Sequence, residues 1–410
     1  MSERGATARS TDRFERKREA ILDAATRILN RKGIKGLTLG DTAAAVDLST
    51  TSVTYYFRKK DDMAAAAIAR GIETLHDMAE AAVGAPTPGE RLTRFVTSYL
   101  TRVRQAAVGA APPLPIITEL LALGSPRREE VAQTYGRLFR KVRQIFDHPD
   151  HAWMSRGRRT ARTRMLLEQV FWGASWLAKY DPEDFERIGE RMVDILLRGV
   201  AGAGAAWDPP VIAQAELAPP DGPDSARETF LLAATRLINR RGYRGASVDK
   251  ISAELNVTKG SFYHHNEAKD ELVVGCFERT FEVMRRAQRL GMEQPGSQWD
   301  RLSACAAALA EFQLSDHGPL LRTSALTALP EQMRQIMVEH SNRISDRFAS
   351  MISDGIAEGS MRPVDPSIAA QMLNATLNAC ADLGYLVPDV RPKAAASVFV
   401  RPLLMGIFSR

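Results

Sequence analysis

The chain has 410 residues, 45% hydrophobic and 25% charged, enough apolar material to bury the cores of two or more domains and to exclude disorder as a starting assumption. Its formal charge of +6 rests on 55 bases against 49 acids, a balance that favours acidic partners such as nucleic acid or an anionic membrane without deciding between them. Three cysteines, Cys276, Cys305 and Cys380, show no CxxC spacing, which argues against a disulfide framework or a zinc knuckle and fits a reducing cytoplasm.

Met1 to Asp12 is polar, carries Arg4 and Arg9, and reads as a flexible basic arm (1–12). It is not a signal peptide, and no apolar run reaches the ~18 residues of a membrane span, so a cytoplasmic protein without a membrane contact is expected. From Phe14 the apolar residues Ile21, Leu22, Ala25, Ile28 and Leu29 recur at helical spacing, and Arg31, Lys32 and Gly33 supply a stop signal. Two short helices around a tight turn follow between Thr38 and Met63. A long alanine-rich helix then runs from Lys60 to about Val83, with Asp61 and Asp62 suited to its amino terminus. Further helices are expected at 127–146, 165–180 and 185–200. Ala201 to Asp224 holds five prolines and no lysine or arginine, the composition of a linker.

Beyond the linker the pattern starts again. Shifted by 209 residues, Ile21 to Gly40 (ILDAATRILNRKGIKGLTLG) aligns with Phe230 to Asp249 (FLLAATRLINRRGYRGASVD), nine of twenty positions being identical. Helices are expected at 332–356, 367–387 and 393–408, and no run of alternating residues bounded by hairpin turns stands out. The fold class is therefore all-α, in two tandem copies. The expected division is 13–60 and 225–269 for the two-helix domains, 61–200 and 270–410 for the bodies, and 201–224 for the linker.

Each two-helix unit carries its own punctuation. Thr38 and Ser247 can cap the first short helix, Ser49 and Thr258 the second, and Asp47 and Asn256 are residue types that tolerate a left-handed turn. Val46, Leu48 and Val53 should pin the first pair together, as should Leu255, Val257 and Phe262 the second. What remains outward is Thr50, Thr51, Ser52, Thr54 and Tyr56 in one copy, and Lys259, Gly260, Ser261, Tyr263 and His265 in the other. Small, hydroxylated and basic side chains suit a helix whose amino-terminal end enters the major groove of double-stranded DNA. A solvated helical hairpin would read similarly, but a fused repeat supplies the two recognition helices that such proteins usually assemble as dimers.

These residues resemble the TetR-type transcriptional regulators. Leu48 to Met63 (LSTTSVTYYFRKKDDM) and Val257 to Leu272 (VTKGSFYHHNEAKDEL) are similar to that family's phrase VSKGSLYYHFxSKEEL, and Ala24-Ala25, Gly33 and Gly36 with their partners extend the likeness. The resemblance implies a repressor that releases its operator when a small, commonly hydrophobic molecule enters the helical body. It also implies dimerisation through the last two helices of each body, here within one chain as a pseudo-dimer. Lys60 and Lys269, with the caps Thr38 and Ser247, are implied phosphate contacts. Thr51 and Thr54 stand where glycine and tyrosine are usual, and Asn266 where an aromatic packs, so the two heads should read unlike half-sites of an imperfect palindrome, or one of them should mostly grip backbone.

Trp153, Phe171, Trp172 and Trp176 are expected in the core or the contact between repeats, some of them as walls of an effector pocket. The basic run Arg156, Arg158, Arg159, Arg162 and Arg164 reads as a solvated, ion-paired face. His264, His265 and Glu267 do not make a metal site, since adjacent histidines point to different sides of a helix. Ser247 to Lys250 matches SxxK but lacks that chemistry's other motifs. No cofactor or enzymatic activity is expected. The alternatives are a regulator-like module that has lost operator binding and now binds a ligand or protein, and an enzyme on a helical scaffold without visible catalytic groups.

Overall fold

The computed structural model describes residues 3–115, 123–218, 225–255, 269–382, 387 and 390–410. Among them there is no strand, only an isolated bridge between Ala201 and Met361. The first repeat runs α1 (Glu3–Gly36), α2 (Leu39–Ala44), α3 (Thr50–Tyr56), α4 (Lys60–Val83), α5 (Pro88–Ala107), α6 (Arg127–Arg143), α7 (Arg156–Trp176) and α8 (Phe185–Arg198). One helical turn, α9 (Gln214–Leu217), interrupts the linker. The second repeat runs α10 (Ser225–Gly245), α11 (Val248–Leu255), α12 (Lys269–Met292), α13 (Gln298–Phe312), α14 (Glu331–Glu358) and α15 (Pro366–Cys380). It closes with α16 (Pro392–Ala395), a π turn at Ala396–Val400 and α17 (Arg401–Leu404). No described helix is long and apolar enough to cross a membrane.

Local chemistry sets these boundaries. Ile21, Leu22 and Ala25 are buried at helical spacing along α1, and the helix is broken where the stop signal stands, at Gly33 with φ 64°. Gly242 does the same in α10 with φ 70°. Thr87 and Glu90 cap α5 reciprocally, each side chain accepting from the other's backbone, behind Pro88 in the first turn. The segment expected as a flexible arm is helical from Glu3; Ala6 and Ala8 are good helix formers, and Asp12 pairs with Arg16 one turn on.

The same two ties hold each helix-turn-helix domain to its body. Arg70 of α4 reaches Glu19 of α1 at 2.7 Å, and Arg279 of α12 reaches Glu228 of α10 at 2.5 Å, both partners shifted by the repeat. The amide of Asn30 donates to the Leu114 carbonyl at 2.9 Å, and that of Asn239 to Leu320 at 2.8 Å.

The repeats meet along α7 and α8 on one side and α15 to α17 on the other, the intrachain pseudo-dimer that the last helices of each body were expected to form. Gln169 donates to the Met372 carbonyl and to Thr376, each at 3.0 Å. Arg162, 3% exposed, donates to the carbonyls of Ile407 at 2.6 Å and Ser409 at 2.9 Å. Arg164 is buried with Glu168 at 2.5 Å and Asp382 at 2.7 Å, and Arg322 joins Asp382 from the second repeat. The basic run is therefore not one solvated face. Its first members Arg156 and Arg158 are exposed, while Arg162 and Arg164 cross the seam, where carbonyls and carboxylates offset their desolvation.

The linker is stitched down where it leaves the first repeat. The amides of Val200 and Gly202 donate to the carbonyls of Leu404 at 2.8 Å and Ser360 at 3.0 Å, and that of Ile407 donates back to Leu196 at 2.7 Å. Gly199 (φ 70°) and Gly406 (φ 99°) sit at this crossing. A Cβ on Gly199 would lie 2.2 Å from the Leu404 oxygen and one on Gly406 2.6 Å from that of Leu197. Trp207, further along, packs edge-on against Trp299 with ring centroids 6.3 Å apart.

Candidate nucleic-acid interface and effector cavity

The first helix-turn-helix is assembled by its caps. Thr38 Oγ1 accepts from the Asp41 amide at 2.9 Å and opens α2; Ser49 Oγ accepts from the Ser52 amide at 3.1 Å and opens α3. Between them Asp47 adopts φ 52°, the one non-glycine residue of positive φ among the described residues. Val53 is fully buried, with Val46 and Leu48 packed beside the core, so α3 has one inward face. Because a β-branched side chain resists the left-handed region, Asp47→Val should lower the chain's stability by about 1–2 kcal/mol, whereas Asp47→Gly should hold it or raise it. Thermal melts of the full chain check the contrast.

Outward on α3 are Thr50, Thr51, Thr54 and Tyr55; Ser52 is half-buried. The Thr54 hydroxyl donates to the Thr50 carbonyl at 2.9 Å. Tyr56, expected on the reading face, is half-buried and leans on Phe14 of α1 at 4.7 Å between ring centroids. Tyr55, which the sequence reading passed over, is 77% exposed instead. Lys60 is half-buried, its ammonium 3.5 Å from the Ile34 carbonyl at the end of α1. The exposed cations beside α3 are Arg58 and Lys59, which the phrase RKKDD contains but does not rank.

In the second copy Ser247 Oγ accepts from the Lys250 amide at 3.4 Å, so the SxxK match is a helix cap. Lys259, Gly260, Ser261, Tyr263 and His265, with His264, Asn266 and Glu267, lie outside the described residues. Lys269 opens α12, and its side chain lies outside them as well.

Of the four aromatics proposed for an effector pocket, the structure brings two to one place. Trp172 and Trp176 line a cleft of about 410 Å³ between the repeats, and Trp172 also walls a narrow cavity of about 40 Å³ inside the second body. Trp153 lies elsewhere, under the guanidinium groups of Arg158 and Arg162 at 5.6 and 5.5 Å, and Phe171 packs against Tyr135. Phe277, Phe281 and Met284 of α12 and Leu377 of α15 form much of the inner cavity's apolar wall. Sequence reasoning missed them because pocket walls come from several distant helices.

Among the described residues the fold defines a helix-turn-helix domain on an all-helical body, and the sequence repeats that pattern along the chain. The family model for bacterial regulatory proteins of the tetR family matches residues 21–67 and again 230–276, and that of a tetracyclin repressor-like C-terminal domain matches 295–382. The chain therefore carries two tandem TetR-like units. It is similar to the transposon Tn10 TetC protein of Escherichia coli, 22% identical over 152 residues that cover 37% of this chain and 75% of that protein. The HTH-type transcriptional repressor DhaR of Mycobacterium sp. (strain GP1) is 27% identical over 154 residues, 37% of this chain and 77% of DhaR. Among solved structures, AibR in complex with isovaleryl coenzyme A and operator DNA is 22% identical, with 43% of this chain and 97% of that chain covered and a TM-score of 0.36.

Proposed function

We propose that this chain is a repressor that holds an imperfectly palindromic operator with two unlike heads and lets go when a small hydrophobic effector enters the second body. The observation that carries the reading is the exposed face of α3, a row of hydroxyls and Tyr55 flanked by Arg58 and Lys59, on a domain that occurs twice. Hydroxyls and an aromatic edge suit base contacts, and the two cations suit phosphate. The Arg70–Glu19 and Arg279–Glu228 ties support coupling, since each joins a head to the helix that walls its body. A bulky ligand beside Phe277 and Phe281 would press on α12 two residues to either side of Arg279.

Selection of bound sequences from randomised duplexes should yield two unlike half-sites, and a perfect palindrome would sink the idea of unlike heads. Lys59→Ala should weaken binding alike on every sequence and lower the slope of log affinity against log salt by about one unit. The alternative is a ligand- or protein-binding module without an operator; what favours it is Thr54, whose hydroxyl is already occupied by the Thr50 carbonyl. Binding to every duplex at only non-specific strength at physiological salt would decide for that reading.

A further inference from the structure

The cavity in the second body and the cleft between the repeats share four walls, Trp172, Thr323, Leu326 and Ser341. No charged side chain lines the cavity among the described residues. Most of its polar groups are occupied. Thr280 donates to the Cys276 carbonyl and accepts from the Leu321 amide, both at 2.9 Å. Gln313 joins the Leu377 carbonyl and the Leu320 amide, again both at 2.9 Å. Asn374 differs: its Nδ2 donates to Ser345 at 2.5 Å, but its buried Oδ1 has no partner among the described residues. A buried carbonyl left without a donor costs stability, and a ligand N–H or O–H would recover it.

The cleft has the opposite character. Among the described residues, Arg31, Lys32, Lys179 and Arg334 line it against one carboxylate, Glu331. Lys32 also faces Asp41 at 3.4 Å and Lys179 donates to Asn342 at 2.7 Å, while the indoles of Trp172 and Trp176 provide an apolar floor. An uncharged chamber beside a cationic, indole-lined mouth matches one chemistry. We propose that cavity and cleft form a single site for an amphipathic anion. Its apolar chain lies among Phe277, Phe281 and Met284, a donor along the chain meets Asn374 Oδ1, and its anionic end lies between Lys179 and Arg334.

The site is composite. Arg31 and Lys32 belong to the end of α1 in the first head, and the Thr323–Ala328 turn over the cavity touches both α1 and α10. One bound molecule would therefore bear on both heads at once. This consequence rests on the reading of the chain as a DNA-binding regulator; the ligand site itself does not.

Calorimetry on the full chain tests it with N-dodecanoylglycine, which carries an apolar chain, an amide donor and a carboxylate. Its methyl ester should bind about tenfold more weakly, having lost the charge. Tetradecanoate, which keeps the charge but lacks the donor, should bind about fivefold more weakly. The double variant Lys179→Gln, Arg334→Gln should bring the acid down to the ester while leaving the ester's own affinity unchanged, which shows that the cavity is intact. Asn374→Leu should erase the gap between N-dodecanoylglycine and tetradecanoate. Equal affinity for acid and ester, binding of dodecyltrimethylammonium as tight as that of the acid, or no binding of any probe would each overturn the proposal. Ligand binding by a chain that binds no duplex would leave the site standing and remove the regulator reading. A chain that grips an operator but takes none of the probes would do the reverse.

Discussion

Asp382→Ala should cost the full chain about 3 kcal/mol or more, read as a drop in its denaturation midpoint, because it leaves two guanidinium groups facing one carboxylate in the seam. Glu168, Arg164, Asp382 and Arg322 form a quartet of alternating charge there, the Asn378 amide donating to Glu168. Burial by itself would raise the Asp382 carboxyl, but Arg164 and Arg322 outweigh it and hold the group below its ordinary range. The sign of the pH effect follows. A carboxylate whose folded value is depressed stabilises the chain above its unfolded value of about 4, and that contribution is lost as pH falls through the folded value. The stability of Asp382→Ala should accordingly fall less steeply with acid than that of the parent. Replacing the quartet with apolar residues of similar volume should recover most of the loss, since the cost lies in the unpaired charge and not in the absence of the pair.

Gly199→Ala should be nearly as damaging, with a loss of more than about 2 kcal/mol in urea unfolding of the full chain. The new methyl would meet the Leu404 carbonyl at 2.2 Å, and backbone has no rotamer to turn aside. Gly406→Ala should behave alike, and the double variant should fall short of the sum because both disturb one crossing. Gly204→Ala is the control. That glycine also has positive φ, 79°, but a Cβ there meets nothing within 4 Å, so about 1 kcal/mol of backbone strain is all it should show.

What could be read from the sequence was what neighbouring residues decide. Thr38, Ser49 and Asp47 do their work through amides a few positions away, so caps and turn were visible as residue types at fixed offsets. The repeat exposed the architecture because the same core positions are filled twice. Which of Tyr55 and Tyr56 faces outward was beyond reach, since Phe14, which receives Tyr56, comes from a different helix. Arg162 and Arg164 looked like surface charges because the acceptors that bury them across the seam, Ile407 and Asp382, lie more than two hundred residues away. One signal did go unused. Leu196-Leu197-Arg198-Gly199-Val200 and Leu403-Leu404-Met405-Gly406-Ile407 are copies of one phrase, and they mark the two strips of chain that cross at the seam.

That crossing has a genetic consequence. When a two-headed regulator is assembled from separate subunits, a damaged copy can pair with a sound one and poison it, and related regulators in the same cell can trade partners. Here each half is sewn to the other by its own chain through Val200, Gly202 and Ile407. Pairing of the two halves within one chain is first order and independent of abundance, so it needs no second copy. The two heads inherit together but diverge separately, which leaves each free to specialise without losing its mate.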